Sequence, residues 1–293
     1  MRRMGSKFCG VTIEQRMKNA AKLFPLYLLL HSQLHISLGG CSSYDVMIGN
    51  SKKVQTERSA FLQSNGTKLF PGIASVFIDD PRALSLMRPT IGCPFSMHKV
   101  PSVRYGSDGK WVCGLELLRP LKRPCIVYSF GSRGKMAFEK IVDHFAPHCA
   151  VYIFDPFHPP EQHPRFHLRS VPLGTDGKLS CDQSQCFHAQ GLEKIMAMEN
   201  HNNVDIIKMD IEGDEIDVIP SVHWCKLRTW QVLLEVHDKD REYTISNILN
   251  LIFLPLEKCG FHLFSLEPVC NDVFPRCLRQ YELSFIRFNS YVS

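Results

Sequence analysis

Several signatures are missing from this 293-residue chain, and each absence removes a class of function. No C-x-x-C pair occurs among the twelve cysteines, which argues against zinc ribbons and thioredoxin-like redox motifs. No internal repeat or low-complexity tract is present, so solenoid architectures fall away. No apolar run is long enough to span a bilayer. The full G-x-G-x-x-G dinucleotide fingerprint is also missing.

Basic character is scarce outside the first residues. The formal charge is +5, and residues 1–22 carry Arg2, Arg3, Lys7, Arg16, Lys18 and Lys22 against Glu14 alone, so the remainder is neutral. A neutral body lacks the electrostatic footprint of phosphate-backbone binding, and nucleic acid is not an expected partner. The strongest metal pattern is Cys181, Cys186 and His188, but scattered thiols and loop histidines are commoner than three-ligand sites, so no metal is expected.

What is present suits a soluble globular protein, with 44% hydrophobic and 22% charged residues. Residues 1–40 form a basic segment around the apolar run Leu23-Phe24-Pro25-Leu26-Tyr27-Leu28-Leu29-Leu30, readable as a signal core or an amphipathic helix. Reduced thiols in the cytoplasm are taken over secretion, which residues 1–40 also allow. Residues 41–101 show few sustained periods, turn formers at Asn65-Gly66 and Asp80-Pro81, and short apolar runs such as Val76-Phe77-Ile78; they are expected to be an irregular extension.

Beyond residue 102 the pattern changes to apolar runs of strand length alternating with helical segments. Strands are expected over 125–130, 150–154, 166–171, 204–209, 231–236, 262–265 and 283–288, and helices over 136–145 and 192–199. Alternation of this kind predicts a doubly wound α/β sheet, whose ligand sits beyond the carboxyl ends of the strands.

Those ends carry the chemistry. The first strand runs into Gly131-Ser132-Arg133-Gly134, a turn that brings backbone close to a ligand. The second ends in Asp155, about 20 residues beyond the glycine turn, where nucleotide-binding sheets hold ribose hydroxyls; capping of the Pro156 turn is the alternative. The fourth exits through Lys208-Met209-Asp210-Ile211-Glu212-Gly213-Asp214-Glu215. Crowded carboxylates cost desolvation and repulsion, so function is favoured there, although Asp214 and Glu215 also suit a helix start. On the fifth, Glu235 and His237 share a face by the period of two, and both can point at the cleft.

Val127-Tyr128-Ser129-Phe130-Gly131, Phe154-Asp155-Pro156, the string 208–215 and Leu234-Glu235-Val236-His237 together resemble the FkbM-like methyltransferases, nearest the methyltransferase-like 24 group. Tyr105 to Cys113 resembles the segment preceding that group's first strand. The resemblance covers about residues 102–290 and implies a Rossmann-like, seven-stranded, mostly parallel sheet with an antiparallel last strand. It also implies S-adenosylmethionine as donor and a small-molecule or sugar acceptor methylated on oxygen. Gly131, Ser132 and Gly134 would then form the cofactor turn, Asp155 would hold the ribose, and Asp210 would face the methyl group. Asp210 or His237 would deprotonate or orient the acceptor, with Glu212 and Glu235 assisting. Two alternatives stay open, a non-catalytic module on the same fold and a nicotinamide-dependent oxidoreductase.

Overall fold

The computed structural model describes residues 43–65, 85–101, 109–119, 123–158, 161–182, 184–237, 245–269 and 280–288. The expectations for residues 1–40, Asn65-Gly66, Val76-Phe77-Ile78 and Asp80-Pro81 therefore lie wholly or partly outside the described residues. The chain divides into two units at Asn50, and apart from Ser43–Asn50 at the start of the first helix the described residues belong to the second, Ser51–Ser293.

In chain order the elements are α1 (Ser43–Asn65), β1 (Met97–Val100), β2 (Lys110–Cys113), β3 (Cys125–Phe130), α2 (Ala137–Phe145), β4 (Cys149–Phe154) and β5 (Phe166–Arg169). They continue with β6 (Leu179–Cys181), β7 (Cys186–His188), α3 (Leu192–Met198), β8 (Ile206–Met209), α4 (Glu215–Ser221) and β9 (Gln231–His237). Last come α5 (Ile245–Ile248), α6 (Leu254–Lys258), β10 (His262–Pro268) and β11 (Gln280–Ile286). A π-helical turn, Leu249–Phe253, joins α5 to α6.

Seven strands form one sheet in the order β10-β11-β9-β8-β3-β4-β5. β3, β4, β5, β8 and β9 are parallel to one another, while β11 runs antiparallel to both β9 and β10. This is the expected doubly wound, Rossmann-like sheet with an antiparallel last strand. The central strands β3, β8 and β9 are buried along their whole length, because strands covered on both faces read as continuous apolar runs. One core cluster links them to α3, α4 and the 245–256 helical segment.

Residues 41–101 are not irregular throughout, which corrects the expectation. On α1 the positions Ser51, Val54, Arg58 and Phe61 are buried and lie on one helical face. Two of these four are polar, and this conceals the period in the sequence. Arg58 is accommodated because it donates to Leu86 O (2.9 Å) and Arg88 O (2.8 Å), pairs with Glu257 and lies over the Phe253 ring. Ser51 Oγ lies 2.6 Å from His262 Nδ1.

Four disulfides cross-link the described chain: Cys93–Cys113, Cys125–Cys149, Cys181–Cys186 and Cys225–Cys259. The third joins the β6–β7 hairpin and consumes both thiols of the Cys181, Cys186, His188 pattern, so that trio is not a metal site. The second ties the first residues of β3 and β4, which are register partners.

Candidate functional site

Strand β3 ends at Phe130, and the chain turns through Gly131 (φ 72°), Arg133 (φ 49°) and Gly134 (φ 75°). Positive φ favours glycine at two of these positions. At Gly131 the need is also steric: a Cβ there would lie 1.7 Å from the carbonyl oxygen of Asp210. Asp210 N in turn donates to Phe130 O at 3.1 Å. The glycine turn and the exit of β8 are thus packed backbone against backbone. Gly134 is open, since a Cβ there would meet only His158 O, at 3.9 Å.

Asp155, buried at the end of β4, is engaged from four sides. Its Oδ2 accepts from Arg133 N (2.7 Å) and Ser132 Oγ (3.3 Å), and its Oδ1 from Phe157 N (3.1 Å) and His158 N (2.8 Å). A carboxylate offers about four lone-pair positions. All are taken here, so Asp155 caps the Pro156 turn and also shapes the glycine turn.

The β8 exit is organised by Glu215 at the start of α4. Its carboxylate accepts from Ile211 N (2.8 Å) and Gly213 N (2.9 Å), holding the loop that carries Glu212 at φ 56°. Glu215 therefore serves both the helix start and the site. The structure brings Asp210, Glu212, Glu235 and His237 together: His237 Nε2 lies 3.8 Å from Asp210, 3.7 Å from Glu212 and 3.5 Å from Glu235. Glu212 also pairs with Arg133 at 2.8 Å, a half-exposed bridge between the two loops.

Lys110 and Glu282 are the residues that sequence reasoning missed. The buried Lys110 ammonium, sent in from β2, donates to Glu282 Oε1 (2.6 Å) and Glu235 Oε2 (3.0 Å) and lies 3.9 Å from Asp210. Glu282 stands opposite Glu235 across the β9–β11 ladder. A single acid inside the apolar strand 280–286 was the available signal. Lys208 donates to Gly131 O (2.6 Å) and lies 3.8 Å from Asp210.

Charge explains the proton affinities. Burial alone would lower Lys110, but Glu282, Asp210 and Glu235 hold it well above its ordinary value. Burial pushes Glu282 up to about 8 against the pull of Lys110. Asp210 is also buried, yet Lys110, Lys208 and His237 outweigh that and keep it low. His237 is raised to about 9 despite burial, because Glu215, Glu235 and Asp210 surround it.

The cluster offers anionic oxygens beside a glycine turn, an arrangement suited to holding a cationic group and to accepting hydrogen bonds. Asp210, Glu212 and His237 also present ligand atoms within 4.8 Å of one another, near enough that one metal ion could draw on all three. Beyond the carboxyl end of β5 lies an open depression of about 340 Å³, lined in part by Val171, Pro172, Phe187 and Met198.

Among solved structures the chain is similar to precorrin-6y C5,15-methyltransferase from Geobacter metallireducens GS-15. That match has 11% identity, covers 59% of this chain and 86% of that one, and has a TM-score of 0.32. The pyocyanin biosynthetic protein PhzM matches at 10% identity over 59% of this chain, with a TM-score of 0.28; the match spans only 54% of that protein. An O-methyltransferase family 2 protein from Planctomyces limnophilus DSM 3776 matches at 9% identity, covering 94% of this chain and 70% of that one, with a TM-score of 0.28. At these values the fold rests on the strand order above. No curated protein gives a significant match. Residues 81–287, most of the chain, match the family described as a methyltransferase domain, and the chain belongs to that family.

Proposed function

We propose that the domain transfers a methyl group from S-adenosylmethionine to a hydroxyl of a small-molecule or sugar acceptor, as in the FkbM-like methyltransferases. The observation that carries this reading is the contact of Gly131 with Asp210, which sets the glycine turn directly beside the acidic exit. S-adenosylmethionine supplies, when bound, an electrophilic methyl group on a cationic sulfur. The open face at Gly134 and the carboxylates of the β8 exit fit such a cation-bearing nucleoside.

The chain's own residues do the positioning. Gly131, Ser132 and Gly134 give the donor a close backbone surface, and Asp155 keeps that turn in shape rather than offering a free oxygen to a ribose. Asp210 and Glu235 accept from the acceptor hydroxyl and aim its oxygen, while Lys110 and Lys208 fix both strand ends. Alignment of reacting groups is worth roughly 7–11 kcal/mol of barrier when complete. Incubating the purified chain with S-adenosylmethionine and a metabolite extract should yield a product heavier by one methylene; no such product and no binding of S-adenosylhomocysteine would refute the reading. The Arg133–Glu212 bridge between the two loops favours a second reading, a non-catalytic binding module, for which the same two results are expected to be negative.

The four disulfides support folding in an oxidising compartment rather than in the cytoplasm. Among the described residues no helix is long and apolar enough to cross a membrane.

A further inference from the structure

The two ring nitrogens of His237, a side chain only 8% exposed, have unlike surroundings. Nδ1 lies 3.3 Å from Glu215 Oε1. That carboxylate already accepts from Ile211 and Gly213, so the ring hydrogen belongs on Nδ1. Nε2 makes no hydrogen bond among the described residues. It faces one oxygen each of Glu235 (3.5 Å), Glu212 (3.7 Å) and Asp210 (3.8 Å).

Those carboxylates already face cations, Glu235 and Asp210 facing Lys110 and Glu212 facing Arg133, while a lone pair on Nε2 has no donor among the described residues. With no ion bound, a proton on Nε2 is the state the surrounding carboxylates favour, but its contacts are long, since a good N–H···O bond needs about 2.7–3.2 Å and none of these oxygens comes that close. An ion serves better: with bonds of about 2.1 Å, two ligand atoms on one tetrahedral metal stand about 3.4 Å apart. The geometry points to a divalent metal site formed by Asp210, Glu212 and His237, with Glu235 at its edge.

Glu215 then has the place of the carboxylate that fixes the tautomer of a ligating imidazole. One imidazole with two or three carboxylates suits Zn²⁺ or Mn²⁺ rather than a soft ion. Solvent reaches the site past Glu212, whose side chain is 49% exposed. The ion's role rests on the methyl-transfer reading: it would bind the acceptor oxygen beside Asp210 and favour loss of its proton, which Glu235 or solvent takes.

The test strips the full chain with a chelator and titrates it with Mn²⁺ and with Zn²⁺, in the absence of nucleoside, by calorimetry and, for Mn²⁺, electron paramagnetic resonance. One ion per chain is expected, with affinity falling about tenfold or more in His237→Gln and in Glu212→Gln. The second variant alters a half-exposed side chain, so its fold, checked by circular dichroism, should be intact. No stoichiometric binding of either ion, or unchanged affinity in both variants, would overturn the site. S-adenosylhomocysteine titrated into the same samples separates the two ideas. Nucleoside binding without metal binding sinks only the metal site, and metal binding without nucleoside binding or turnover sinks only the methyl-transfer reading.

Discussion

Gly131 and the carbonyl of Asp210 pack so closely that a single methyl group on the glycine would come within 1.7 Å of the oxygen. Neither partner can easily retreat, because Gly131 N donates to Phe154 O and Asp210 N to Phe130 O. Gly131→Ala should therefore cost about 3 kcal/mol or more, combining overpacking with a positive φ. Urea unfolding measures the loss, and a cost below about 1 kcal/mol would show that the turn is free to shift.

Lys110→Met leaves Glu282 and Glu235 facing each other in the core without their shared cation. Removing one partner of a buried ion pair typically costs about 3–5 kcal/mol. Adding Glu282→Gln should restore part of that, with a coupling of about 1–3 kcal/mol in the double-mutant cycle. Strict additivity would mean that the three groups do not interact as their distances require.

His262 gives stability a dependence on pH. Burial and the nearby Lys52 lower its pKa from the ordinary 6.5 to about 4, and Ser51 Oγ meets its Nδ1. Between those values the unfolded chain binds a proton that the folded chain does not. The neutral ring's contribution is thus complete above about pH 6.5 and is lost as pH falls towards 4. Chemical denaturation at pH 7 and at pH 4.5 should show a larger drop in the wild type than in His262→Asn; equal drops would remove His262 as the cause.

Peptide mapping without reductant should recover Cys93–Cys113, Cys125–Cys149, Cys181–Cys186 and Cys225–Cys259 as pairs. The Cys225–Cys259 link closes the longest of these loops, with a separation of 34 residues. Replacing both its cysteines with serine should cost about 2–4 kcal/mol. Free thiols at these positions in protein secreted from cells would contradict the cross-links and the compartment together.

The centre of the sheet was legible because β3, β8 and β9 are buried on both faces and so leave nearly continuous apolar runs. All seven expected strands occur, with ends that shift by a few residues: Phe166 to Arg169 stops short of Val171, and Gln280 to Ile286 begins before Leu283. The cluster of Asp210, Glu212, Glu235 and His237 was legible because acids at a strand exit stand out against their surroundings. Lys110 was not, because its strand pairs outside the main sheet and only tertiary packing sends its ammonium to Glu282. Helix α1 was concealed by Arg58, a charge that becomes tolerable in the core only through carbonyl acceptors and Glu257 supplied by distant segments. The tie of Asp155 to the glycine turn was likewise invisible, since it depends on backbone N–H groups rather than on residue type.

β11 separates β9 from β10 in the sheet, and among the described residues β10 pairs with no other sheet strand. During synthesis, then, β10 emerges with its place in the sheet still unformed and must wait for the strand made after it. Glu282 arrives on that same late strand, so Lys110 stays without its nearest counter-charge until the ladder closes. A chain ending before residue 280 would thus hold the five parallel strands with a loose edge, and its Lys110 ammonium would have Glu235 but lack Glu282.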